Sequence, residues 1–343
     1  MLARRLLIAG GGGGGGSAGT LLAPYDWTIA REATNPVIDV ADNPAETLEQ
    51  YTPGPIRLAS GDVWVYVKGL DRIYAWKSTD DGVTFSLQNG GAGVLVPVPA
   101  TWEASFVVDP GAVYDLANDT IHLFYKARDG GVANWQWGHA TAPGSTPTVF
   151  TRDGANPILT KANAQTQLGG GTTRDLSLTS VIKIGSTFHF YGYGEYDSGS
   201  GFVYRLLHAT GTTWNDPSGL TILLSAVAPD TVVESPSVYL RPGGGGYGMF
   251  YARGTTLSAG RTIRWASSTD GTTWDFSNTT NVLSPTSGWE ANSVYSGAFI
   301  MESASPWSSP VYIDSTWRYY YSGYTSVNGH ANVGLAFLTP TWS

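Results

Sequence analysis

One short pattern recurs five times in this chain: an apolar strand, a Gly-containing turn, then aromatic residues closing on a tyrosine. It reads DVWVYVKG around Tyr66, TIHLFYKAR around Tyr125, STFHFYGYG around Tyr191, GYGMFYARG around Tyr251 and TWRYYYSGY around Tyr321. The intervals between these tyrosines are 59, 66, 60 and 70 residues, a near-constant step that marks a repeat architecture. Each unit must bury its apolar face against the next one, so the number of units constrains the fold more than any single motif does.

Other fragments recur in phase with the tyrosines. Asn35-Pro36-Val37-Ile38, Asn156-Pro157-Ile158-Leu159 and Asn281-Val282-Leu283 precede units one, three and five. Ser78–Phe85 closes unit one and Ser268–Trp274 closes unit four, each carrying Asp and Gly ahead of an aromatic residue. Such segments read as turns, in which Asp accepts backbone N–H bonds and Gly supplies positive φ. They are similar to the Asp-box turns of sialidases, which are structural, so no chemistry is assigned to them. About 60 residues suit one four-stranded antiparallel sheet. The expected fold is all-β: a five-bladed β-propeller spanning 31–343, preceded by a Gly-rich arm over 1–30. Radial closure also removes the long open edges that so many strands would otherwise expose. Two packed sandwiches are the alternative, and they do not account for one unbroken series of five. Composition agrees: among 343 residues there are 44 glycines and only 13% charged residues, with no amphipathic run long enough for a helix of useful length.

The formal charge of −8 argues against a nucleic-acid partner, since phosphate binding calls for a basic face. No apolar run approaches the length of a membrane span. There are no cysteines, hence no disulfide framework and no thiolate metal site. The five histidines show no metal-ligand spacing; His122 and His189 fall within strand patterns as core residues. No metal or cofactor is expected. Arg4 and Arg5 ahead of Leu6–Ala9 suggest the start of a secretory signal, but the apolar part dissolves into seven glycines, Gly10 to Gly16. The expectation is an arm, and polyglycine lets backbone pack closely where side chains would clash. In style it resembles the arms of bacteriophage tail proteins, which implies docking into a larger (virion) assembly and a virion or extracellular location.

In a propeller the innermost strands line a central channel, and a ligand binds where they converge. The segments leading into them are Gly54-Pro55-Ile56-Arg57, Asp109–Tyr114, Arg174-Asp175-Leu176-Ser177, Glu234–Tyr239 and Trp289–Ser293. Four of the five carry a carboxylate. Crowding acids on one axis raises the pKa of at least one of them, which suits general acid–base work on a polar substrate.

The order of Asn-Pro-Val-Ile, Asp-Pro, Arg-Asp and Glu-Ser-Pro resembles that of the five-bladed glycoside hydrolases of families 43 and 32, the furanosidase superfamily, over roughly residues 35–338. The resemblance implies a polysaccharide or oligosaccharide substrate. It also implies a general acid at Glu234 in Glu234-Ser235-Pro236, and a carboxylate at Asp175 in Arg174-Asp175 that tunes the acid or steadies the transition state. The family's first-blade base falls on Gly54-Pro55, where the proline is present and the carboxylate is not. Asp109 is then the substitute base, with Asp39, Asp42, Glu46 and Glu49 in the preceding loop as further candidates; without any of them the site would bind sugar and not cleave it. Asp175 is followed by Leu176 where the family has proline, and it could pair with Arg174. Glu103 and Glu290 each follow a tryptophan. Trp102 and Trp289 could stack on a sugar ring with Glu290 binding its hydroxyls, or could pack between blades, and Arg174 is the further substrate-binding candidate. The distance between the two working carboxyl groups would set inversion or retention.

Overall fold

The computed structural model describes residues 27–340, apart from 47–48, 132–133, 198, 200, 242–244, 257–258 and 326–330. Twenty strands form five four-stranded antiparallel sheets. Blade one holds β2 (Tyr51–Arg57), β3 (Val63–Lys68), β4 (Ile73–Ser78) and β5 (Ser86–Leu87). Blade two holds β6 (Phe106–Asp115), β7 (Thr120–Arg128), β8 (Gln136–Pro143) and β9 (Thr151–Arg152). Blade three holds β10 (Thr172–Ile184), β11 (Thr187–Asp197), β12 (Val203–Gly211) and β13 (Ser218–Ser225), and is preceded by the short helix α1 (Lys161–Gln167). Blade four holds β14 (Val232–Leu240), β15 (Tyr247–Gly254), β16 (Thr262–Ser268) and β17 (Asn281–Leu283). Blade five joins β18 (Ser293–Phe299), β19 (Trp317–Tyr324) and β20 (Ala331–Pro340) to β1 (Trp27–Arg31), which pairs antiparallel with β20.

The chain therefore closes its ring by lending an amino-terminal strand to the last blade. Trp27–Ala30, four residues read from sequence as part of the arm, are strand and belong to blade five. Gly10–Gly16 lie outside the described residues. Tyr320 Oη also donates to the carbonyl of Gly82 at 2.8 Å, tying blade five to a turn of blade one. Tyr66 and Tyr191 latch in the same way, onto Pro147 at 2.9 Å and Gly271 at 2.7 Å in the next blade. All five recurrent tyrosines are buried.

Five apolar clusters fill the structure, each shared by two neighbouring blades. Val63, Val65 and Val67 of β3, for example, pack with Tyr320, Val333 and Leu335 of blade five. The alternation of strand side chains puts one face of each sheet against the blade before it and the other against the blade after it. That is why these strands read as nearly continuous apolar runs.

The turns behave as the sequence indicates. Asp80 accepts from the amides of Val83 and Thr84, and Asp270 from those of Thr272 and Thr273. The glutamates of the Trp-Glu pairs are held in hydrogen-bonded networks. Glu103 pairs with Arg152 and accepts from Tyr125 Oη at 3.1 Å, and Asn156 donates to the same hydroxyl at 3.0 Å. Glu290 pairs with Arg31 at 2.8 Å, while Arg31 and Asn35 both donate to Tyr321 Oη. One Glu–Arg–Tyr–Asn network is thus built twice, in blades two and five.

Candidate active site

The first strands of the blades are not regular. Each breaks register with its partner, at Tyr51/Gly54, Val108/Gly111, Leu178/Ser180, Glu234/Ser237 and Tyr295/Gly297, with a further break at Thr173/Asp175. Thr52, Asp109, Ser235 and Ser296 take left-handed φ of 54°, 53°, 53° and 42° within those breaks. Such a bulge bends the strand and re-aims its side chains, and proteins use it next to functional sites. Here it turns side chains of all five blades into one central cavity of about 220 Å³.

Asp109, Asp175 and Glu234 all line this cavity, from blades two, three and four. Three cations line it with them: Lys68, Lys126 and Arg261. The wall is completed by Thr52 and five tyrosines.

Asp109 is 3% exposed and saturated with donors. It takes Lys126 Nζ at 2.8 Å, Tyr193 Oη at 2.9 Å, Thr52 Oγ1 at 3.3 Å and Ser177 Oγ at 3.4 Å. Burial pushes its carboxyl up, but the charges of Lys126 and Lys68 and the donors from Lys126 and Tyr193 outweigh burial and hold it below the usual carboxylate range. Glu234 goes the other way. Burial raises its carboxyl, and the Asp109 charge adds to this, against the attraction of its partner Arg261. Arg261 is itself buried, stacks 3.8 Å above the Tyr295 ring and donates to Ser293. Asp175 accepts from Lys126 Nζ through both oxygens, at 3.0 and 3.1 Å.

The expected acids are thus brought together, with corrections. Arg174 does not pair with Asp175: it is 50% exposed, pairs with Glu195 at 3.2 Å, lies against Phe202 and stays off the cavity wall. Arg174 is the extra residue of the Thr173/Asp175 bulge, and its side chain goes to Glu195 and Phe202 rather than to Asp175. Gly54 is not the first-blade site position. A Cβ there would sit 3.2 Å from backbone atoms of both Pro110 and Ala112, so Gly54 packs on blade two. The bulge puts Thr52 at the cavity, matching Asp109 in the parallel sequences Thr52-Pro53-Gly54 and Asp109-Pro110-Gly111.

Glu290, at the fifth position of the acid series, is held by Arg31 and Thr286, and blade five offers Tyr295 to the cavity. Trp102 stacks on Tyr125, and Trp289 lies against Tyr321, Gly323 and Gly334; both pack within their blades. Asp39 caps a 3-10 turn, Asp42 is exposed, and Glu46 accepts from the amide of Leu70. Of the loop acids Glu49 comes nearest, through its ion pair with Lys68 at 2.8 Å.

Sequence reasoning missed the cations and tyrosines of the wall. A signal for two of the cations existed. Lys68 and Lys126 follow the recurrent tyrosines by two residues and one, opposite the bulged first strands, as Lys68↔Tyr51 and Lys126↔Val108. No group of three or more His, Asp or Glu that could hold a metal ion occurs among the described residues.

The fold is shared with enzymes. The chain superposes on the α-L-arabinofuranosidase of Podospora anserina in complex with cellotriose with a TM-score of 0.59 and 15% identity, covering 91% of this chain and 96% of that one. A thermostable family-43 glycoside hydrolase gives 0.65 and 15%, covering 89% and 91%. The β-1,2-mannobiose phosphorylase of Listeria innocua in complex with β-1,2-mannobiose gives 0.66 and 14%, covering 91% and 96%. The chain is a five-bladed propeller whose structural neighbours are glycoside hydrolases and phosphorylases; at these identities the likeness is one of fold. Neither a protein-family profile nor a curated protein matches the sequence.

Proposed function

We propose that this protein hydrolyses glycosidic bonds of an oligo- or polysaccharide in the central cavity. One observation carries the reading: two carboxylates on one cavity wall are pushed in opposite directions, Asp109 down and Glu234 up. Environments that split a pair of acids in this way assign their roles. Glu234 holds a proton to give to the leaving glycosidic oxygen. Asp109, ionised, takes a proton from the attacking water or attacks the anomeric carbon itself, and Asp175 steadies the positive charge that develops at that carbon. The rim tyrosines and Thr52 supply hydroxyls to orient the sugar.

A second reading has its own support. Asp109 already accepts from four donors, and the matching residue in blade one is Thr52. A saturated carboxylate is a weak base, and the same cavity would then bind glycan without cleaving it. Docking of the arm into a virion assembly, and a virion or extracellular location, are proposals supported by Gly10–Gly16 alone.

The test is a panel of arabinans, xylans, fructans, mannans and bacterial surface glycans, offered to the parent and to Glu234→Gln. Hydrolysis predicts reducing ends from the parent, and a variant slower by about 10²–10⁴-fold. Saturable binding by both proteins with no product would sustain the binding reading and refute hydrolysis. The pH profile should be lopsided. Activity needs Glu234 protonated, so it falls on the alkaline side at a pH above the ordinary glutamate range. It persists to low pH because Asp109 stays ionised.

A further inference from the structure

Lys126 is the one cation of the cavity wall that bonds to two of its acids. It lies on β7, its side chain is 8% exposed, and it lines the cavity beside both aspartates. Its ammonium has three N–H donors. The oxygens around it number three: Asp109 Oδ2 at 2.8 Å, Asp175 Oδ1 at 3.0 Å and Asp175 Oδ2 at 3.1 Å. The rings of Trp135 and Tyr193 lie 4.6 and 5.6 Å from Nζ. The Lys126 ammonium therefore joins blade two to blade three through the two acids.

We propose that Lys126 is the positioning residue of this site, a cationic bridge that holds Asp109 and Asp175 together in one cavity. The inference rests on the reading above for its activity test and stands apart from it for its structural test. Two carboxylates that share a buried site without a cation cannot both ionise, so one of them keeps a proton. The ammonium between them offsets that repulsion, and neither carboxylate can turn away without leaving a buried N–H unmet. Other charges face the bridge. Lys68 acts on Asp109, Asp109 acts on Glu234, and Glu195, paired with Arg174, acts on Lys126 and Asp175. The hydroxyls of Tyr193 and Tyr204 face the same acids. Lys68 is the other cation acting on Asp109, but its own ion pair is with Glu49, and only Lys126 bonds to both aspartates.

The test uses Lys126→Met and Lys126→Arg in the full chain, each compared with the parent in two experiments. The first is titration of the aspartate side-chain carbons by ¹³C NMR. In the parent Asp109, held below the usual carboxylate range, should stay ionised through pH 5. In Lys126→Met the Asp109 carboxyl should titrate about 1–3 pH units higher, and Lys126→Arg, which keeps the charge, should restore most of the parental behaviour. The second is kcat/KM against pH on whichever glycan the panel identifies. Lys126→Met should move the acid limb up by a similar amount and cut kcat at neutral pH at least about 10-fold, with a smaller change in KM. A lysine that merely braced the fold would lower the melting temperature and leave both titrations in place, and that result would overturn the proposal. If no glycan is cleaved but the NMR shift appears, the bridge stands and the hydrolase reading falls. If Lys126→Met does not fold, an unaltered titration in Lys126→Ala or the failure of Lys126→Arg to preserve the parental one decides against it.

Discussion

Acidification should loosen this propeller well above the pH at which its carboxylates protonate, because two imidazole pairs are buried in its sheets. In blade two His122 Nδ1 lies 3.0 Å from His139 Nε2, whose other nitrogen meets Asp153 at 2.9 Å. In blade three His189 Nδ1 lies 3.0 Å from His208 Nε2. Burial, then the neighbouring imidazole, pushes His122 down from 6.5 to about 3 and His208 down from 6.5 to about 4. Burial likewise lowers His139 and His189. The sign follows from which form the fold prefers. A depressed histidine is neutral when folded and takes up a proton when unfolded below pH 6.5. Its contribution is complete above that pH and drains away as the pH falls towards the folded value. Between pH 6.5 and 5 each such group forfeits roughly 1.5 × 1.36, or about 2 kcal/mol. Counting one group per pair gives about 4 kcal/mol, a large share of a typical stability of about 5–15 kcal/mol. Urea unfolding at pH 7.5, 6.5, 5.75 and 5.0 measures this directly. The His122→Gln, His208→Gln double variant should be weaker at pH 7.5 and lose less than half as much on acidification. A parent whose stability is level from pH 7.5 to 5, or a double variant with the parent's full slope, would refute the reasoning.

Two further predictions concern ring closure and the acid. Gly82 has φ +87°, and a Cβ there would lie 2.1 Å from Tyr320 Oη. Gly82→Ala should therefore cost about 2 kcal/mol or more in urea unfolding, and Gly90→Ala, with φ +58° and open space around it, only about 1 kcal/mol. Arg261→Met strands Glu234 without its cation, so stability should fall by about 3 kcal/mol at pH 8. The deficit should shrink towards pH 5, where protonating Glu234 removes the uncompensated charge; a pH-independent deficit would show that packing on Tyr295 is Arg261's main contribution.

The sequence made the number of blades legible because the repeat comes from packing. Each second strand buries a large aromatic residue between blades, Tyr66 and Tyr191 towards the blade after and Tyr125, Tyr251 and Tyr321 towards the blade before, and these tyrosines report that need directly. The closing strand was hidden because Trp27–Arg31 is five residues long and its partner, β20, is about three hundred residues away. No local pattern encodes such a pairing.

Three acids of the site were legible and their surroundings were not, and the bulge is the reason. Register in a strand alternates, so counting back from a turn says which face a residue takes only while the ladder is regular. One extra residue in β2 moves the cavity position from Gly54 to Thr52, and the same insertion in β6 delivers Asp109. The cations follow from that geometry. A bulged first strand exposes the residue opposite it on the second strand, and in blades one and two that residue is a lysine. Carboxylates gathered by bulges in blades two, three and four would repel one another. Lys126 and Arg261, reaching across from blade two's second strand and from the approach to blade four's third, are what permits the cluster to form.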